Sequence, residues 1–531
     1  MNAENPRDLP RVTYSNIRED FSGVHDHFDG VLPRVRETML GQDQPNLIDG
    51  QDDRAGAEMT AQSPIDRRLT LGRFVAADAD AVNRAFAAAR RAQPEWAASG
   101  WAHRVAVLRK AADVLEDRKY EVSAACLFEV GKSRMEAIGE IEETVDIIRT
   151  YAGFMEEAQG FDVDLDRVNP GEETFDKMRP FGVFGVIAPF NFPVALSVGM
   201  TSAALLAGNA VVYKPSPDAA LTGRLLAEIY RDAGVPAGVF NLVCGGEETG
   251  RAIAGHPDLD GIAFTGSHRV GMELLREVGA GGQHARPVLA EMGGKNPCYV
   301  TGSATLDDAV SGLVRSAYGL QGQKCSACSV AFLHDDIHDD AVARLRDAAN
   351  AVKIGDPAER DVFMGPLIND TSLDRFLNAV QEAKAAGATV HGGERLSGGI
   401  YDHGCYVSPA LVTGLPDDHW LHREELFAPF LTVRRFSDLA EAITRGNAVQ
   451  FGLTAGIYTG DQSELDLFLN RAAAGALYAN RPSGATTGAW PGTQTFCGWK
   501  GSGTGSKGGL GAWYLPQFMR EQSHTIMRPA G

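Results

Sequence analysis

The sequence predicts an α/β fold, and three observations carry that prediction. Between Phe181 and Val278, short β-branched runs alternate with segments of helix length. A second alternating region runs from Glu291 to about Asn480. At 531 residues the chain also exceeds the size at which a single core keeps growing, so two or more domains are expected.

In chain order, residues 1–60 are polar and mixed with weak periodicity, and are expected to form an N-terminal extension laid over a larger body. From Ala76 to Tyr151 the pattern is helical. Ile138, Ile141, Val145 and Ile148 recur at helical spacing, with Glu136, Glu140 and Glu143 along another face. The polar stretch after Gly160, ending in "DKMRP", suits a hairpin or arm. "GVFGVIAPF" reads as a buried strand, "PVALSVGMTSAALLAG" as a helix and "NAVVYKPS" as a strand. "LTGRLLAEIYRDAG" is an amphipathic helix stopped at Gly234, with Pro236 beyond. "GVFNLVCG" and "GIAFTGS" are further strands, and a helix follows from about His268 to Val278. Such alternation implies a parallel sheet with crossovers, a nucleotide-binding type of architecture. The tail is rich in Gly, Thr and Trp and ends in "REQSHTIM", a strand.

Bulk properties exclude several classes. A net charge of −19 argues against nucleic-acid or anionic-membrane partners, which need basic patches. "MNAENPRDLP" has neither a basic n-region nor an apolar h-region, so no secretory signal is read. Phe181–Tyr213 carries no charge and is long enough to cross a bilayer, but Pro189, Asn191, Pro193 and Asn209 interrupt it. Two buried strands flanking a buried helix fit better. The seven cysteines are scattered, a reduced, cytoplasmic pattern rather than a disulfide framework. "QGQKCSACS" holds the one close pair, Cys325 and Cys328. Zinc would need about four ligands, and no second close pair exists, so no metal is expected.

For a cofactor, "GIAFTGSHRVG" places Gly266 and Gly271 between a strand and a helix, where free N–H groups and the helix dipole favour a phosphate. Alone this is weak, because such turns are common. "GKS" at 131–133 lacks the upstream glycine of a P-loop, and "GSGTGSKGGLG" precedes no clear helix. Lys214 ends a strand, where ligands bind in open parallel sheets, although a solvated lysine reads the same way. For chemistry, a cysteine thiolate needs a group to hold the oxyanion and a base to activate water. Asn191 in "APFNFP" offers a neutral amide donor, and Glu291 in "LAEMGGKNP" a carboxylate with room around it. Singly, each has a plain reading: a turn former, a surface acid, a small buried hydrophobe.

Together, "PFNFP", "KPS", "FTGS", "EMGGKN", "GQKC" and "EELFAP" occur in the order and rough spacing of the aldehyde dehydrogenase superfamily, which the chain resembles over about residues 60–525. The resemblance implies an aldehyde dehydrogenase-like α/β fold: a Rossmann-type cofactor domain, an α/β catalytic domain and a small β oligomerisation arm. The expected organisation is an N-terminal extension (1–60), a discontinuous dinucleotide-binding domain (61–155 and 178–290) and a catalytic domain (291–480). Residues 156–177 and 481–531 would supply the arm and tail. Cys325 would be the nucleophile, Asn191 with the Cys325 N–H the oxyanion hole, and Glu291 the base for the deacylating water. Lys214, Ser216, Gly266, Ser267 and Gly271 would hold the dinucleotide, with Glu425 and Phe427 at the nicotinamide ribose and ring. The cofactor is expected to be NAD, with NADP as the alternative because Pro217 stands where many relatives carry a ribose-binding acid; Asp218 is the substitute acid the sequence offers. Lys324 is expected either to lower the pKa of Cys325 or to point to solvent. Cys328 is expected to open the following strand as a packing residue.

Within the superfamily, "GLQGQKCSACS" and "NRPSGATTGAWPGTQTFCGWKGSGTG" look most like the branch that oxidises L-glutamate γ-semialdehyde in proline breakdown. That resemblance implies Ser326, Gly484 and Ala485 as donors to the substrate carboxylate and Glu143 as the acceptor for its ammonium; a solvated helix face is the alternative for Glu143. Another aliphatic or aromatic aldehyde, and a catalytically silent family member, remain as alternatives. A homo-oligomer is expected, as for relatives, and a proline dehydrogenase partner is conceivable from pathway logic alone.

Overall fold

The computed structural model describes residues 9–16, 19–280, 284–482 and 490–527. Its first large sheet has seven strands in the spatial order Val288–Met292, Gly261–Gly266, Val183–Ile187, Ala210–Lys214, Phe240–Leu242, Asn46–Ile48 and Gln51–Asp53. The first five are mutually parallel and the last two antiparallel. Chain order runs outward from Val183–Ile187 in both directions, so the crevice beside that strand's C-terminal end is a topological switch point. The uncharged run 181–213 forms a strand, the helix Ala195–Leu206 and a strand, all largely buried. Among the described residues no helix is long and apolar enough to cross a membrane.

The second large sheet orders Thr389–Gly392, Ala410–Thr413, Phe430–Phe436, Cys328–His334, Asn296–Val300, Thr454–Tyr458 and Ala476–Ala479, antiparallel only at its first pair. A third sheet pairs Met519–Met527 with Glu172–Pro180 over nine residues, with Val163–Asp164 beyond. The "REQSHTIM" strand therefore closes on the arm.

The N-terminal segment departs from expectation. It is not only laid over the body, because Asn46–Ile48 and Gln51–Asp53 extend the first sheet at its edge. Two three-residue strands carry too few residues to show a period. A distant contact fixes them: Asn46 Oδ1 accepts from the Cys244 N–H at 2.6 Å. Upstream, the helix Ser22–Thr38 buries Val24, Phe28, Val31, Leu32 and Val35 at helical spacing.

The helical region resolves into four helices, of which Arg134–Glu157 is the longest and largely enclosed. Its glutamate face is not solvated. Glu136, Glu140, Glu142 and Glu143 are all buried, and each has a specific partner. Burying a carboxylate costs several kcal/mol unless it is paired, so these partners fix where the helix sits.

Candidate active site

The Cys325 loop follows the helix Leu306–Tyr318 with three successive residues in the left-handed region: Leu320 (φ 47°), Gln321 (φ 56°) and Gly322 (φ 64°). Non-glycine residues hold such angles only when their surroundings impose them. Here the Leu320 N–H donates to Glu136 at 3.2 Å, Gln321 Nε2 donates to the Gly131 carbonyl at 3.2 Å, and Gln323 Oε1 accepts from the Ile368 N–H at 3.0 Å. Beyond the bend, Asn296 Nδ2 donates to the carbonyls of Cys325 (2.7 Å) and Ala327 (3.0 Å). The "GQKC" residues are thus a built backbone bend that presents one thiol.

Lys324 does neither thing expected of it. It is buried and donates to Glu136 Oε1 at 2.9 Å, tying the loop to the enclosed helix. Burial pushes the Cys325 thiol up to about 12, the Glu425 and Glu291 carboxylates push the same way, and the N–H groups of Ser326 and Cys325 oppose them. Cys328 opens the strand Cys328–His334 as a buried residue, its N–H bonded to Ser316 Oγ at 3.1 Å.

Glu291 lies in the edge strand Val288–Met292 of the first sheet. Burial pushes its carboxyl up to about 8, opposed by a hydrogen bond from the Gly498 N–H. Among the described residues its Oε2 has no hydrogen-bond partner. The glycine-rich tail clamps this strand: the Met292 N–H donates to the Ser502 carbonyl (2.8 Å), the Thr504 N–H to the Ala290 carbonyl (3.0 Å), and Ser502 Oγ to the Gly293 carbonyl (2.7 Å). Sequence reading passed over this clamp; its signal was the glycine run, which permits backbone-to-backbone approach.

Cys325, Ser326, Glu291 and Glu143 line one cavity of about 120 Å³. Asn191 is buried in the loop leading to Ala195–Leu206, and its neighbour Phe192 lines the cavity. That loop is set by Glu140, whose Oε1 accepts from the N–H groups of Val194 (2.9 Å) and Ala195 (3.1 Å), while its Oε2 pairs with buried Lys132. The "GKS" lysine is therefore internal. Glu136, Glu140 and Glu143 serve three parts of the site: the cysteine loop, the asparagine loop and the cavity wall. Tyr14 from the N-terminal segment also lines the cavity and was not foreseen; its partner Glu143 lies 129 residues away.

Of the expected dinucleotide residues, Lys214, Ser216, Gly266 and Ser267 lie at strand ends of the first sheet. Lys214 is buried, donates to the carbonyls of Pro215 (2.9 Å) and Gly245 (3.0 Å), and is pushed down to about 8 by burial. Ser216 caps the short turn Pro217–Ala219, accepting from the Asp218 N–H at 3.3 Å. Asp218 is engaged by Asn369 Nδ2 at 3.3 Å. Gly266 ends the strand Gly261–Gly266, and Ser267 precedes the helix His268–Ala280, with its Oγ accepting from the Val270 N–H at 3.4 Å. Gly271 does different work: a side chain there would collide with Met292, so this glycine packs the helix on the strand. Glu425 accepts from the Gly294 N–H at 3.1 Å, and burial pushes it up to about 7. A side chain at Gly293 would collide with that carboxylate. Phe427 adopts φ 56° and sets its ring edge-on to Phe190 at 5.8 Å. Gly484 and Ala485 lie outside the described residues.

Comparison with known proteins decides the family. The model of the aldehyde dehydrogenase family matches residues 51–523. The chain belongs to the aldehyde dehydrogenase family. It is 34% identical to a 1-pyrroline-5-carboxylate dehydrogenase of Staphylococcus epidermidis, over 94% of this chain and 95% of that one. Among solved structures, a 1-pyrroline-5-carboxylate dehydrogenase from Thermus with bound NAD superposes with a TM-score of 0.91 at 32% identity, covering 96% of this chain and 98% of that one. Proline utilization A from Bdellovibrio bacteriovorus gives 0.90 at 31% identity; 95% of this chain matches 52% of that longer chain. For an aldehyde dehydrogenase of this family, the donor set at the strand ends fits a dinucleotide. Lys214 offers an ammonium held on two carbonyls, and Ser267 with the first turn of His268–Ala280 offers a hydroxyl and free N–H groups.

Proposed function

We propose that this enzyme oxidises L-glutamate γ-semialdehyde to L-glutamate with NAD, through a covalent intermediate on Cys325. The observation that carries the reading is one cavity lined by a thiol, a carboxylate with one oxygen lacking a partner among the described residues and a second buried carboxylate, in a chain similar throughout to 1-pyrroline-5-carboxylate dehydrogenases. Lys214, Ser216, Gly266, Ser267, Glu425 and Phe427 are the residues assigned to NAD. When bound, the nicotinamide supplies the acceptor for the hydride that leaves the substrate carbon.

The residues' own work follows from their environments. Cys325 is a thiol near neutral pH, so its proton must leave before it attacks, and Glu291 on the same cavity wall is assigned to take it in its ionised form, which burial makes dominant only above about 8. Sulfur adds to the aldehyde carbon, and the carbonyl π-electrons become an oxyanion held by the Asn191 amide and the Cys325 N–H. After oxidation the carbon is a thioester. Once Glu291 has released the Cys325 proton to solvent, it removes a proton from water, whose oxygen attacks that carbon; the C–S bond breaks and Glu291 returns a proton to the departing sulfur, giving the acid and the thiol. Ser326 and the 484–485 backbone are assigned to the substrate carboxylate, and Glu143 to its ammonium. A glutamate base beside the thiol favours hydrolysis to an acid over transfer to coenzyme A.

Stopped-flow NADH formation with glutamate semialdehyde tests the assignment. Cys325→Ala is expected to abolish both burst and turnover, whereas Cys328→Ala keeps most of each. Equal loss in both variants would overturn it. We further infer a homo-oligomer built through the arm sheet, on whose strands and connecting turn Val163, Val168, Ile526 and Met527 are exposed.

A further inference from the structure

Residues 9–16 are pinned to the carboxylate face of the helix Arg134–Glu157. Arg11 pairs with Glu142 and Asp146, each at 2.9 Å, and Val12 is fully buried. Asn16 closes the turn: its Oδ1 accepts from the Thr13 N–H (2.7 Å) and its Nδ2 donates to the Arg11 carbonyl (3.0 Å). Within that turn Tyr14 is only 6% exposed. Its ring meets Phe192 and Trp490 edge-on, with centroids 6.5 and 5.6 Å apart, and the Trp490 indole N–H donates to Asp146 at 2.9 Å. The Tyr14 hydroxyl donates to Glu143 Oε2 at 2.7 Å, and both residues line the cavity that holds Cys325 and Ser326.

Much of the rest of that wall is apolar, including Ile147, Leu196, Met200 and Phe496. A carboxylate in such surroundings is driven toward its neutral form, and burial pushes Glu143 up to about 7, with the Tyr14 hydrogen bond opposing. A hydroxyl donated to the carboxylate favours the anion, the form that attracts a cation. Tyr14 is thus placed to keep Glu143 charged inside an apolar cavity.

We propose that Tyr14 is a specificity-determining residue: with Glu143 it forms a two-residue receptor for the ammonium group of the aldehyde, making segment 9–16 part of the substrate site. The proposal rests on the semialdehyde reading above. It is tested by calorimetric titration of the full-length enzyme with L-glutamate and with glutarate, which lacks the ammonium. Wild type, Tyr14→Phe, Glu143→Gln and the double variant are compared. Wild type should prefer L-glutamate, and Tyr14→Phe should cut that preference about tenfold, the scale of one hydrogen bond to a charged group. The double variant should match Glu143→Gln, because the hydroxyl acts through the carboxylate. In turnover, Tyr14→Phe should raise KM for the semialdehyde more than it lowers kcat. A Tyr14→Phe enzyme that keeps the full preference overturns the role of Tyr14 and leaves the semialdehyde reading standing. A wild type with no preference for L-glutamate overturns that reading and the receptor with it.

Discussion

Glu291 sets the pH behaviour of the site at the scale of single residues. Its carboxyl is raised in the fold to about 8, against an ordinary 4.5, chiefly by burial. For a group raised on folding, the stabilising contribution is complete below the ordinary value and is lost as pH rises through the folded one. Glu291→Gln cannot ionise and escapes this loss. Its melting temperature should therefore pull ahead of wild type between about pH 5 and pH 8, by at most about 1.4 kcal/mol per pH unit. Its hydrolytic turnover should fall by about 10²–10⁴-fold, the scale of a lost general base. Thermal scans across that range check the first claim and steady-state assays the second; a constant stability offset would contradict the assigned cause. The sequence picked out Cys325, Asn191 and Glu291 because each stands in a short charge-poor motif, and the fold sets Cys325 and Glu291 on one cavity wall with Asn191 buried in the loop beside Phe192. Lys324 was misjudged because its partner Glu136 is 188 residues away and pairs only in the fold.

The helix Arg134–Glu157 organises the site at the scale of elements. The spacing of Glu136, Glu140 and Glu143 was visible in the sequence, but a row of glutamates on a helix reads as a solvated face until something packs against it. Here the Cys325 loop, the Asn191 loop and the N-terminal segment all do. Removing one partner of a buried ion pair strands the other charge, so Glu136→Ala should cost about 3–5 kcal/mol in denaturant unfolding. Glu136→Leu combined with Lys324→Met should recover most of that stability but not the turnover, because the Leu320 N–H would still lack its acceptor. A double variant with wild-type activity would show that the pair serves folding alone. The parallel strands and crossovers were legible through their β-branched runs and glycine stops. Asn46–Ile48 and Gln51–Asp53 were not, since a three-residue strand has no period to detect.

The two large sheets present their loops to one cavity at the scale of the whole molecule, and the tail returns to clamp the strand that carries Glu291. This closure places residues from Tyr14 to Tyr514 around a single cavity. Long closure was the least readable level, because motif order fixes a family but not which distant loops touch. The arm gives a separate prediction: deleting residues 519–527 unpairs Glu172–Pro180 and should reduce the native assembly to monomer in light-scattering chromatography. An unchanged mass would place the interface elsewhere. The central claim concerns the substrate, and kcat/KM for NAD-dependent oxidation of L-glutamate γ-semialdehyde, propanal and benzaldehyde tests it most directly. The semialdehyde should be preferred by at least about 10²-fold, the combined scale of two charged-group interactions; equal or better rates with propanal or benzaldehyde would contradict the account.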